Sequence, residues 1–188
     1  MKTATLALAV ALLFGTSASA GVIVYSAVLG NFENPPSGSI GTGSALITID
    51  TLLNTMLVDV TFSGLSSGDT ASHIHCCIAQ GGNAGVATTT PTFTGFPSGV
   101  TSGTYSHLFD LTQATSWNAV FITANGGTTA GAETALLAGL AADQAYLNIH
   151  TTNSPGGEIR GFLLVAPEPG TFLLAGAVLA GFLIRRRK

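Results

Sequence analysis

Two stretches of this chain alternate apolar and polar residues with a period of two, and nothing else in the sequence restricts the fold as strongly. Met56, Val58, Val60 and Phe62 alternate with Leu57, Asp59, Thr61 and Ser63, and Ala45, Ile47 and Ile49 alternate with Leu46, Thr48 and Asp50. Successive side chains of a strand point to opposite faces, so each stretch reads as a strand with one buried face. Further strands are expected at Val22–Leu29, Ser72–Cys76, Tyr105–Leu111, Ala119–Ala124, Tyr146–Thr151 and Ile159–Val165. Turn formers separate them, among them Asn34-Pro35-Pro36-Ser37-Gly38, Ser66-Ser67-Gly68-Asp69, Gly81-Gly82-Asn83 and Ser154-Pro155-Gly156-Gly157. Many short strands so punctuated predict an all-β, antiparallel, Greek-key-like sandwich or barrel. One segment departs from this pattern. Ala132–Ala142, AETALLAGLAA, is rich in strong helix formers and predicts one short helical insertion.

Charge separates this body from its two ends. Of the six basic residues, Lys2 lies at the start and Arg185, Arg186, Arg187 and Lys188 at the finish. Between Gly21 and Ala166 only Arg160 is cationic, against eight carboxylates. A body with a net charge of −7 has no cationic surface for phosphates, so nucleic acid is excluded as a partner. Hydrophobic residues make up 46% of the chain, which sets it apart from disordered sequences. The glycine-rich loops lack a P-loop lysine and a strand–turn–helix setting, and no G-x-S-x-G nucleophile elbow occurs.

The ends read as addresses. Residues 1–20 run from Lys2 through an apolar stretch, Leu6–Phe14, to Ala18-Ser19-Ala20. That order is a secretory signal, with signal peptidase expected to cut after Ala20. Thr171–Ile184 is uncharged and ends at Arg185–Lys188. As a helix it spans about 21 Å, short of the ~30 Å hydrocarbon core, so length alone does not make it a membrane span. Its basic flank supplies the stronger argument, for a transmembrane helix whose C-terminus faces the cytoplasm.

Four histidines are the main candidates for chemistry. On a strand, His73 and His75 share a face about 7 Å apart, with Ile74 on the other. His150 repeats the split, with Leu147 and Ile149 opposite. If the aliphatic residues face the core and the two strands are neighbours, His73, His75 and His150 could converge on one copper or zinc ion. Isolated strand histidines that simply hydrogen-bond are the alternative, in which case there is no cofactor. His107 has no pattern linking it to the others. The chain also echoes itself: Ile74-His75 and Ile149-His150 each precede a glycine pair, Gly81-Gly82 and Gly156-Gly157, by the same interval. Two equivalent strand–loop corners would produce this echo, and so would chance in a glycine-rich chain.

Three further groups bear on such a site. In an exported protein Cys76 and Cys77 have three possible fates: a vicinal disulfide, intermolecular bridges, or thiolate ligands. Opposed sulfurs on a regular strand disfavour chelation, and the vicinal or loop-constraining disulfide is the expectation. Glu158 and Arg160 share one face of the last strand, where a surface ion pair is the simplest reading. If the hairpin register sets His150 opposite Glu158, the carboxylate would instead orient that imidazole. As the body's only cation, Arg160 is expected to matter more than an ordinary surface arginine.

Two resemblances follow from these residues. Pro167-Glu168-Pro169, the apolar segment and the arginine cluster together resemble the PEP-CTERM sorting signal of Gram-negative bacteria, with Gly170 where serine or alanine is common. This resemblance implies a transient inner-membrane anchor with the body in the periplasm. An exosortase-type transpeptidase would cleave near the triplet and release the protein to the cell surface or extracellular matrix. The body resembles a CHRD (chordin-type) domain over Tyr25–Leu164. The motifs that carry this are Asn34-Pro35-Pro36, Phe62-Ser63-Gly64-Leu65, Ser72-His73-Ile74-His75, Tyr146–Thr151 and Pro155–Gly161. It implies an immunoglobulin-like or dismutase-like β-sandwich and supplies no catalytic residue. Cys76-Cys77 stands where the family commonly has glycine or another small residue.

The expected organisation is therefore a signal peptide (1–20), a CHRD-like domain (21–166) and a sorting signal (167–188). The expected function is that of a non-enzymatic exported module with an unidentified polymer or protein ligand. Copper or zinc binding, or metal-dependent redox chemistry on His73, His75 and His150, is the alternative.

Overall fold

Residues 21–167 are described in a computed structural model of the chain. The expected signal with its cleavage point at Ala20, Glu168 and Pro169 of the triplet, the apolar segment 171–184 and the basic tail lie outside the described residues. No helix among the described residues is long and apolar enough to cross a membrane.

The strands, in chain order, are β1 (Val22–Leu29), β2 (Thr42–Asp50), β3 (Thr55–Ser63), β4 (Asp69–Cys76), β5 (Gly103–Asp110), β6 (Ala145–Thr151), β7 (Ile159–Phe162) and β8 (Leu164–Val165). They form two antiparallel sheets, β5-β3-β2-β1-β8 and β4-β6-β7, which make a sandwich rather than a closed barrel. The alternating stretches fix the register. Ala45, Ile47 and Ile49 of β2 stand opposite Val60, Val58 and Met56 of β3, and all six are buried. A register one residue out would turn these side chains to solvent, so the pairing is strongly specified. From the second sheet Ile74, Leu147, Ile149 and Ile159 complete the core, each without solvent exposure.

Two helices, α1 (Ala119–Ala124) and α2 (Thr129–Ala141), join β5 to β6. The first corrects an expectation, because Ala119–Ala124 reads as a strand from its Val-Phe-Ile-Thr run. Local capping overrides that propensity: the Asn118 side chain accepts from Val120 N, and Phe121 turns inward to stack on Trp117. The helix expected at Ala132–Ala142 starts earlier, at Thr129, where the Thr128 hydroxyl accepts from Gly131 N. It buries Ala132, Leu136, Gly139 and Leu140. The expected strand Ile159–Val165 is divided. Buried Leu163 donates its N–H to Ala145 O, and the chain passes from the second sheet to the edge of the first.

The outer face of the second sheet is covered. Asn34 Nδ2 donates to Gly81 O (2.7 Å) and Asn83 Nδ2 to Asn34 O (2.6 Å), which ties the loop after β1 to the loop after β4. Beneath these loops β4, β6 and β7 present polar side chains that are nonetheless buried.

Candidate metal centre

Register alone decides which side chains meet on the covered face. His73 pairs with Asn148, His75 with Tyr146 and Ala71 with His150, while Asn148 and Tyr146 pair in turn with Arg160 and Phe162 of β7. Paired residues share a face, so the three histidines stand together with Tyr146, Asn148 and Arg160. The intervening Ile74, Leu147 and Ile149 all point to the core.

Each imidazole is fixed by one backbone carbonyl. His73 Nε2 bonds Pro91 O, His75 Nδ1 bonds Ala84 O (2.9 Å) and His150 Nδ1 bonds Pro155 O (2.9 Å). A carbonyl only accepts, so the bonded nitrogen carries the proton in every case. The other nitrogen of each neutral ring is then a bare lone pair. Those three atoms, His73 Nδ1, His75 Nε2 and His150 Nε2, are buried and have no hydrogen-bond partner. One ligand nitrogen from each histidine lies within 4.8 Å of the other two.

Burial keeps the rings neutral. His75 is pushed down to about 4 by desolvation, opposed by its bond to Ala84 and assisted by His73, His150 and Arg160. His73 is lowered by burial, against its bond to Pro91 and with a contribution from His150; His150 is lowered by burial, against its bond to Pro155. Three neutral imidazoles with preset tautomers are the donor set of a copper or zinc site, and carbonyl-bound outer nitrogens are the usual support for such ligands. Bringing the nitrogens from 4.8 Å to a common ion with ~2.0–2.1 Å bonds needs movements of under about 1 Å apiece. The residues present fit a transition-metal ion.

A polar shell adjoins the histidines. The Tyr146 ring stacks on His75 (centroids 4.8 Å apart, planes 4° apart), and the Arg160 guanidinium carbon stands 4.7 Å from the Tyr146 centroid. Arg160 is 1% exposed. Its Nε donates to Phe32 O (2.6 Å) and its Nη1 to Gly82 O (3.1 Å) and Asn83 Oδ1 (2.8 Å), so it clamps both covering loops. Glu33 Oε2 is 3.8 Å from Arg160 Nε. Burial pushes the Glu33 carboxyl up to about 7, although Arg160 acts in the opposite sense. Gly157, at φ 126°, is packed so closely that a Cβ there would fall 2.5 Å from Asn148 Nδ2 and 2.7 Å from Glu33 Oε1.

The remaining expected residues are placed elsewhere. Glu158 does not orient His150 and does not pair with Arg160. Its carboxylate accepts from Ser39 Oγ (2.6 Å), Ser66 N (2.6 Å), Ser66 Oγ (2.8 Å) and Thr151 Oγ1. The hairpin is the cause: Glu158 N donates to Ile149 O, which turns that side chain away from the histidine face. Burial tends to raise the Glu158 carboxyl, but the bonds from Ser39, Thr151 and Ser66 outweigh it and lower the net value. Cys76 and Cys77 are joined in a vicinal disulfide whose sulfurs lie against Gly139 of α2. They are therefore not thiolate ligands. His107 sits on β5 in the other sheet, stacked on Tyr105 and edge-on to Phe109. Pro167 is exposed at the end of the described residues.

Sequence reasoning missed Glu33 and Asn148. Asn148 had a signal, since it alternates with His150 and Tyr146 on β6. Glu33 had none, because it lies in an irregular loop.

The fold and site together define a two-sheet β domain with a buried histidine cluster under tied loops. Residues 25–163 match the CHRD domain, and the chain belongs to the CHRD family. Residues 165–188 match the PEP-CTERM protein-sorting motif. The pair of matches identifies an exported protein whose C-terminal tail serves for membrane anchoring and for processing by exosortase-type machinery. No match is found among the curated proteins or the solved structures.

Proposed function

We propose that this protein is a non-catalytic module, destined for the cell surface or extracellular matrix, that holds one copper or zinc ion on His73, His75 and His150. The observation that carries the reading is that His73, His75 and His150 bring ligand nitrogens within 4.8 Å of one another, and that each ring has one buried nitrogen without a partner. Unpartnered buried polar atoms are rare and call for an explanation, and here one ion would satisfy three at once. The sorting motif supports an extracytoplasmic destination, and the buried ligand atoms support holding an ion over turning over a substrate on it.

Protein recovered from an oxidising compartment, stripped with chelator and dialysed against copper or zinc, should retain one ion per chain. His75→Ala should abolish retention. Failure of the wild type to retain either metal, with no change on substitution, overturns the metal reading. Fractionation of cells producing the full chain tests the destination, and a body found only in the cytoplasm contradicts it.

A further inference from the structure

The charge distribution around the three histidines determines more than the presence of a metal. Resting on the three-histidine reading, we infer that the site is built for monovalent copper, Cu(I), in preference to Cu(II) or Zn(II). Every donor is a neutral imidazole, and no carboxylate or thiolate joins the group among the described residues. None of the carboxylates of the second sheet and its covering loops belongs to that group among the described residues. Glu33 Oε2 faces the Arg160 guanidinium at 3.8 Å, Asp69 Oδ1 accepts from Val100 N (2.9 Å), and Glu158 is bonded by Ser39, Ser66 and Thr151. The cysteines are joined to each other on the far side of the strand. The donor set itself therefore brings no negative charge to offset a second positive one.

The cation nearest in the stack works in the same direction. Arg160 stands one aromatic ring away from His75, behind Tyr146, and is itself shielded from solvent. The cost of placing an ion in a medium of low dielectric rises with the square of its charge, so a divalent ion is penalised far more than a monovalent one. Coordination number adds to this. Zinc almost always takes four ligands and Cu(II) a tetragonal set, and both ordinarily recruit water where the protein supplies only three donors. The three bare nitrogens are shielded from solvent, so a fourth, water ligand would have to be buried together with the ion. A filled-shell monovalent ion is satisfied by three nitrogens and needs neither water nor a counter-charge.

The test measures three affinities on the same folded, exported protein. Cu(I) is offered anaerobically with ascorbate against bicinchoninate, Cu(II) aerobically against nitrilotriacetate, and Zn(II) against a chromogenic chelator. The expected result is Cu(I) held at one per chain, at least 100-fold tighter than either divalent ion, with His150→Ala losing most of that affinity. Zn(II) or Cu(II) bound as tightly as Cu(I) overturns this inference and leaves the three-histidine site standing. Failure to bind any of the three overturns both readings.

Discussion

The outer faces of the two sheets are opposites. On the five-stranded sheet the outward side chains meet solvent: Val28 is 73% exposed and Leu108 61%. On the three-stranded sheet the outward side chains include three histidines, a tyrosine, an asparagine and an arginine, and all of these but the half-buried His150 are buried, with Asn148 at 2% and Arg160 at 1%. Hydrophobic burial alone would produce the reverse, with polar residues outside and loops free. The first face merely backs the core. The second has been given a roof, and the roof is held by hydrogen bonds from the residue that would otherwise cost most to bury. Desolvated polar groups that are not stabilising the fold through one another are where a ligand is to be sought.

Changes that remove the roof should have the largest effect. Arg160→Met leaves Glu33 buried without its cation and leaves two carbonyls and Asn83 without a donor. It should cost about 3–5 kcal/mol in urea unfolding, the range for breaking a buried charge pair. A loss below about 1 kcal/mol would mean that the roof stands without its clamp.

Acid should be next. His75 ordinarily titrates near 6.5 and is held at about 4, so its contribution is present above pH 6.5 and is lost as pH falls through about 4. Glu33 acts with the opposite sign: its folded value is raised, so its contribution is present at low pH and is lost as pH rises through about 7. In metal-free Glu33→Gln protein the opposing titration is gone. Stability should then drop by about 3 kcal/mol between pH 7 and pH 4, read from urea midpoints. In the wild type the drop should be smaller.

Gly157→Ala forces a Cβ against Asn148 and Glu33 at a backbone angle that L residues rarely adopt, and should cost about 2 kcal/mol in thermal unfolding. On the opposite sheet Val28→Thr should change stability by no more than about 0.5 kcal/mol. A large effect there would erase the contrast between the two faces.

Much of this arrangement was legible in the chain. Alternation gave β2 and β3 and their buried faces, and the split of His73, His75 and His150 from their aliphatic neighbours gave the face they share once β4 and β6 are neighbours. Periodicity carries no information about loops, so Glu33 and the partners of Arg160 were out of reach: each contact joins segments more than 75 residues apart in sequence. Glu158 was misplaced because one irregular hydrogen bond in a hairpin reverses which way a side chain points. Ala119–Ala124 was misread because its β-branched run outweighs, on paper, a capping asparagine whose effect depends on buried Trp117 and Phe121.

X-ray absorption on the metal-loaded, exported protein reads the ligand shell directly. The account predicts a first shell of three imidazole nitrogens, unchanged in His107→Ala and broken in His73→Ala. A shell dominated by oxygen or sulfur, or one that survives His73→Ala intact, would contradict it.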